Sequence, residues 1–167
     1  MAGPSAQALG PPPLASPPHV LFAEARFYTA IADELAAGAV AELDAVGASY
    51  ERVAVAGAFE LPAAIRIALE AAEHGTLKRP FDGYIALGCV IRGDTTHYDY
   101  VCGESARGLQ DLAVRHGVPI GYGILTVENE AQAWARARVS DQNKGGDVAR
   151  ACLGMIGLRQ HFGLYPR

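Results

Sequence analysis

The chain of 167 residues has only three cysteines, Cys89, Cys102 and Cys152, with no CxxC spacing among them. An odd number at these separations gives neither a disulfide framework nor a zinc-ligand pattern. Cys89 sits in an apolar run and the other two in helical-looking segments, so all three are expected as reduced thiols in a cytosolic protein. There is no excess of positive charge. Fourteen lysines and arginines stand against 18 acidic residues, for a formal charge of −4, and no basic run stands out, which weighs against a nucleic-acid module. No apolar signal region opens the chain and no apolar run approaches the length of a membrane span. GxGxxG, P-loop and internal repeats are all absent, so a nucleotide-phosphate cradle has no support. What remains is a chain 50% hydrophobic, long enough for one domain with a sizeable core and no membrane or nucleic-acid partner.

Proline is scarce in the body of the chain because it is concentrated at the start. Residues 1–18, MAGPSAQALGPPPLASPP, read as a disordered or extended tail, since proline lacks an amide proton and resists helix. A single domain is expected over 19–167. HVLFAEA (19–25) is a short apolar strand. Ile31, Leu35, Val40 and Leu43 recur at helical spacing between about Tyr28 and Val46, with Gly47 as the stop. YERVAVA (50–56) is a second strand. Residues 57–75 form a turn and a helix with Pro62 near its start and Gly75 past its end. A third strand covers 81–91, a helix 97–116 and a fourth strand 119–127. A short helix follows with Asn129 as cap. SDQNKGGD (140–147) reads as a loop, and 147–162 as the last helix.

Strands alternating with helices imply a parallel sheet covered on both faces. With right-handed crossovers, the pattern predicts a flavodoxin-like, doubly wound α/β fold of four strands in the order 2-1-3-4. Ligands in such folds bind beyond the carboxyl ends of the strands, so chemistry is expected in EARFY (24–28), GAFE (57–60), RGDTTHYDY (92–100) and TVEN (126–129). Phe27 and Phe59 fall where turns should be wet, and suit either a loop-covering role or a platform for a planar ligand. The third turn is the richest. Gly93, Asp94 and Thr95 would bring backbone amides to a helix N-terminus, a setting that favours an anion. Thr95 or Thr96 could cap the helix instead. His97, next in line, titrates in the neutral range and suits acid–base work. Positive charge would come from Arg92, Arg136, Arg138 or Lys144.

GAFELP (57–62), LGCVIRGDTTHYDYVC (87–102), GILTVENEAQAWARA (123–137) and NKGGD (143–147), in this order and spacing, closely resemble the motifs of the lumazine synthase family. EARFY and MIGLRQHFG fit as well, and the resemblance runs from about His19 to Gly163. It implies an enzyme of riboflavin biosynthesis that joins 5-amino-6-(D-ribitylamino)uracil to 3,4-dihydroxy-2-butanone 4-phosphate, releasing phosphate and water and requiring no metal or cofactor. Matched position by position, Phe27 would stack on the pyrimidine. Ala58, Phe59 and Glu60 would hold the ribityl chain and ring edge, while the backbone of Cys89, Val90 and Ile91 reads the pyrimidine. Asp94 and Thr95 match the phosphate-binding turn, and His97 the general acid–base. Tyr122 would reach in from a neighbouring subunit. Arg136 would grip the phosphate, with Lys144 in support.

Tyr28, Ala56 and Tyr122 depart from the family's usual asparagine, proline and phenylalanine, which touches fine contacts rather than the reaction class. The family also implies pentamers with sites between adjacent subunits, alone, paired as decamers or in larger shells. The proline-rich tail weighs against the shell. Two rival readings stay open: a thiol hydrolase using Cys89 or Cys102 with His97, and a flavin or lumazine carrier without turnover.

Overall fold

The computed structural model describes residues 10–164. Its element order is β1 (His19–Ala25), α1 (Thr29–Ala45), β2 (Ser49–Val55), a 3-10 turn (Ala58–Glu60), α2 (Leu61–Glu73), β3 (Gly83–Ile91), α3 (His97–His116), β4 (Ile120–Val127), α4 (Glu130–Ala137) and α5 (Lys144–His161). The four strands form one parallel sheet in the order β2-β1-β3-β4. This is the expected flavodoxin-like α/β arrangement.

Burial follows from strand position. All seven residues of β1 and the first seven of β3 are buried, because these central strands are covered on both faces; the buried polar exceptions in β1, His19 and Glu24, are paired with Ser49 and with Arg26 and Arg52. β2 lies at an edge and is mostly exposed. Side-chain alternation then divides the core in two. Val20, Phe22, Ile85 and Leu87 pack under α1, α4 and α5, while Leu21, Ala23, Tyr84 and Ala86 pack under α2 and α3.

Two local expectations change. The inner stripe of α1 is Ile31, Ala32, Leu35, Ala36, Gly38, Ala39 and Leu43, and Val40 is only half-buried. Small residues take the inner positions because α5 approaches closely. α5 itself begins at Lys144 rather than Asp147, and so absorbs the glycine pair expected in a loop. Asn143, left-handed at φ 46°, caps it by accepting from the Gly146 N–H at 3.2 Å. A Cβ on Gly145 would lie 1.9 Å from the Leu35 carbonyl oxygen, so this helix start is glycine because the α1 backbone leaves no room for a side chain.

The tail expected to be disordered or extended has only its second half among the described residues. Residues 1–9 lie outside the described residues. Residues 10–18 lie against α5: Leu14 packs on the core, and a Cβ at Gly157 would meet the Pro12 carbonyl oxygen. The Gln160 side chain accepts from the Ala15 N–H and donates to the Ser16 carbonyl. Glycines at 154 and 157 open a shallow groove on α5, and chain without its own hydrogen-bonding pattern fills it.

Candidate active site

In the order 2-1-3-4 the winding direction reverses between β1 and β3, which leaves a crevice at their carboxyl ends. A cleft of about 480 Å³ opens there, within the size range of small-molecule sites. Three of the four post-strand turns line it. Phe27 and Tyr28 come from the turn after β1. Ala56, Gly57, Ala58, Phe59 and Glu60 follow β2. Cys89, Val90 and Ile91 end β3, and Gly93, Thr95, His97, Tyr98 and Val101 come after it.

The close fit of turn against strand has a backbone cause. A Cβ on Gly88 would stand 3.2 Å from the Ala25 Cβ and 3.6 Å from the Ala58 Cβ, so glycine lets the 3-10 turn settle against β3. The Glu60 carboxylate holds that turn from within, accepting the Gly57 N–H at 3.0 Å. Phe27 is 74% and Phe59 54% exposed. These rings contribute little to the core and line the cleft, and Phe27 meets Tyr28 edge-on at 5.0 Å.

His97 is the first residue of α3 and is exposed at the cleft. Thr96 occupies the N-cap position without a side-chain capping bond. Thr95 Oγ1 instead accepts a long bond from the His97 N–H at 3.4 Å. Tyr98 and Val101 also line the cleft although neither was picked out from the sequence; Val101 lies four residues after His97 and three after Tyr98, and that helical spacing was the available signal. Burial is the main cause that pushes the thiol of Cys89 up to about 12, with the neighbouring Cys102 adding to it. Burial likewise raises Cys102. Both thiols are therefore neutral near pH 7, which removes the activated thiolate that a thiol hydrolase needs.

Other expected site residues lie elsewhere in the chain. Asp94 is exposed and does not line the cleft. Tyr122 is 44% exposed and borders a separate groove with Ala106, Leu109, Gln110, Ala113 and Ile120. Arg136 donates to the Gln132 carbonyl of its own helix at 3.0 Å, and Lys144 pairs with Asp147 at 2.9 Å. Arg138 stacks on Trp134. The turn after β4 stays outside the cleft: the Glu128 N–H donates to Gln132 Oε1, and Asn129 caps α4 through the Gln132 N–H. Among the described residues, Glu60 and His97 are the only ionisable lining groups besides cysteine and tyrosine, and no arginine or lysine lines the cleft.

Fold and cleft together define a flavodoxin-like α/β protein with a site suited to a planar ligand and to proton transfer. A family model described as 6,7-dimethyl-8-ribityllumazine synthase matches residues 17–160. A protein of that name from Nitrobacter hamburgensis is 56% identical over 142 residues, 85% of this chain and 86% of its own. The 6,7-dimethyl-8-ribityllumazine synthase 1 of Rhizobium meliloti is 54% identical over 88% of this chain and 95% of its own. That of Agrobacterium fabrum is 53% identical over 89% and 99%. The chain belongs to the 6,7-dimethyl-8-ribityllumazine synthase family.

Proposed function

We propose that this chain condenses 5-amino-6-(D-ribitylamino)uracil with 3,4-dihydroxy-2-butanone 4-phosphate to give 6,7-dimethyl-8-ribityllumazine, with release of phosphate and water. The observation that carries this reading is the convergence of Phe27, the turn at Ala58–Glu60, the strand end at Cys89–Ile91 and His97 on one crevice. Family membership supplies the substrates.

In this reading the pyrimidine lies on Phe27 and is read by the backbone of Cys89, Val90 and Ile91. Ala58, Phe59 and Glu60 hold the ribityl chain. The amine attacks the ketone to form a carbinolamine, which loses water to an imine. His97 takes and returns the protons of these steps. Departure of phosphate leaves charge on oxygen, which backbone donors at Asp94 and Thr95 and a cation must accept. In ring closure the ribityl-bearing amine attacks the remaining carbonyl and a second water leaves, a step that depends mainly on holding both fragments within reach.

A phosphate dianion in a cleft with Glu60 but no lysine or arginine in its lining is unfavourable. The absence of such a cation among the described lining residues supports sites completed by Arg136, Lys144 and Tyr122 of an adjacent subunit, in a homopentamer at least. Three thiols without a disulfide suit a cytoplasmic location, which fractionation of the source cells would check. Among the described residues no helix is long and apolar enough to cross a membrane.

The deciding experiment mixes both substrates with the protein and follows product absorbance against the spontaneous reaction. The expected result is a protein-dependent rate together with a solution mass of at least five chains. Tight binding of the lumazine at the protein-free rate would point to a carrier instead.

A further inference from the structure

Arg92 is the first residue after β3 and a natural candidate for binding an anion at the cleft. Its guanidinium is already engaged. Nε donates to Glu128 Oε2 at 2.7 Å and Nη1 to Asp99 Oδ1 at 3.4 Å. The group also lies over the Tyr98 ring, with Cζ 4.1 Å from the ring centroid, while the Arg92 N–H bonds the Val127 carbonyl at 2.9 Å. These contacts reach the end of β3, the first turn of α3 and the segment after β4.

The connecting residues 93–96 have little else to hold them. A Cβ on Gly93 would touch nothing within 4 Å, Thr96 makes no side-chain capping bond and its carbonyl accepts only within the same turn, from the Asp99 N–H at 3.0 Å, and the Thr95 contact to His97 is long. Resting on the function proposed above, we propose that Arg92 is a positioning residue that staples the first turn of α3, and with it His97 and Tyr98, to the ends of β3 and β4.

Arginine suits this task for a geometric reason. Its planar fork can meet two carboxylates while its face stacks on a ring, whereas lysine offers one compact charge that can meet a carboxylate but cannot fork and stack together. Two carboxylates against one guanidinium leave the cluster net negative, so it is a poor direct ligand for phosphate. Exposed ion pairs contribute little to stability. The consequence of losing this one is displacement of the acid–base group from its working position.

The test uses the full chain with Arg92→Gln, Arg92→Lys, Glu128→Gln and the Arg92→Gln/Glu128→Gln double variant. Turnover and KM are measured for both substrates, and amide hydrogen exchange is followed for residues 93–101. Arg92→Gln should lower kcat on the order of ten- to a hundredfold, as misplacement of a reacting group does, with little change in either KM. Exchange over 93–101 should quicken. Arg92→Lys should recover little of the loss, and the double variant should be no slower than Arg92→Gln alone, because the two residues act through one contact.

A raised KM confined to the phosphate substrate, with exchange unchanged, would make Arg92 a phosphate ligand and overturn the proposal. Wild-type kinetics in Arg92→Lys, or additive losses in the double variant, would also overturn it. Wild-type protein that fails to outpace the spontaneous reaction defeats the enzymatic reading instead. In that event the exchange data alone decide, and unchanged exchange in Arg92→Gln removes the positioning role.

Discussion

Cys89 is the cleft group most able to compete with His97 for the role of reacting residue, and alkylation separates the two. Burial is the main cause that pushes its thiol up to about 12. At pH 8 a thiol at about 12 is roughly one part in ten thousand ionised, whereas a free cysteine near 8.5 is about one quarter ionised. That is a difference of roughly two thousandfold in thiolate. The more basic thiolate is the better nucleophile, which restores a factor of about thirty. Cys89 should therefore react with iodoacetamide on the order of a hundredfold more slowly than free cysteine, and its 9% exposure should slow it further.

The assay is a time course of labelling at pH 8, read by mass spectrometry on the Cys89 peptide in native and denatured protein. Cys152, with no exposed surface and a thiol also pushed up to about 12, is the internal control. Labelling of native Cys89 at the denatured rate, with activity lost in step, would refute the reasoning and return the thiol to the mechanism. The linkage to stability has a defined sign. The folded pKa lies above the unfolded one, so the unfolded chain ionises first. The contribution is complete below about pH 9 and is lost as pH rises towards about 12.

Other outcomes are expected from the proposed function and from the packing. His97→Ala should lower kcat by about a hundredfold or more, as loss of a general acid–base does, and leave pyrimidine affinity nearly unchanged in a direct titration; an unaltered kcat would remove the role. Arg136→Ala should raise KM for the phosphate substrate by the loss of about 1.5–3 kcal/mol of charge-assisted binding, with the pyrimidine KM unaffected; steady-state kinetics in both substrates check it. Gly145→Ala would put its Cβ 1.9 Å from the Leu35 carbonyl oxygen. Overpacking of this kind should cost about 1–3 kcal/mol or more, read as a lower unfolding midpoint, and a midpoint equal to wild type would contradict the close α1–α5 contact.

The strands and helices were legible because their signals are local. The apolar runs at 19–25 and 81–91, the alternation of elements and the Pro62 and Asn129 start signals need only neighbouring residues. The inner face of α1 and the start of α5 were not legible. Both depend on how near two helices come, and alanine and glycine chosen for close approach give little hydrophobic contrast to read. The role of 10–18 was hidden for a related reason: a proline-rich segment looks the same in sequence whether or not a glycine-lined groove receives it.

The site divides along the same line. Sequence by itself determined the order of strands and helices, and through it the edge where the cleft opens and most of the groups gathered there, because a parallel α/β chain places each post-strand turn at one end of the sheet. Only the tertiary structure decided which groups share the cleft and what state they are in. It drew Tyr98 and Val101 in, left the turn after β4 outside, occupied Arg92 with Glu128, Asp99 and Tyr98, and kept the thiol of Cys89 neutral. Those outcomes depend on contacts between residues distant in the chain and on the water that burial removes, and neither is written in any single stretch of sequence.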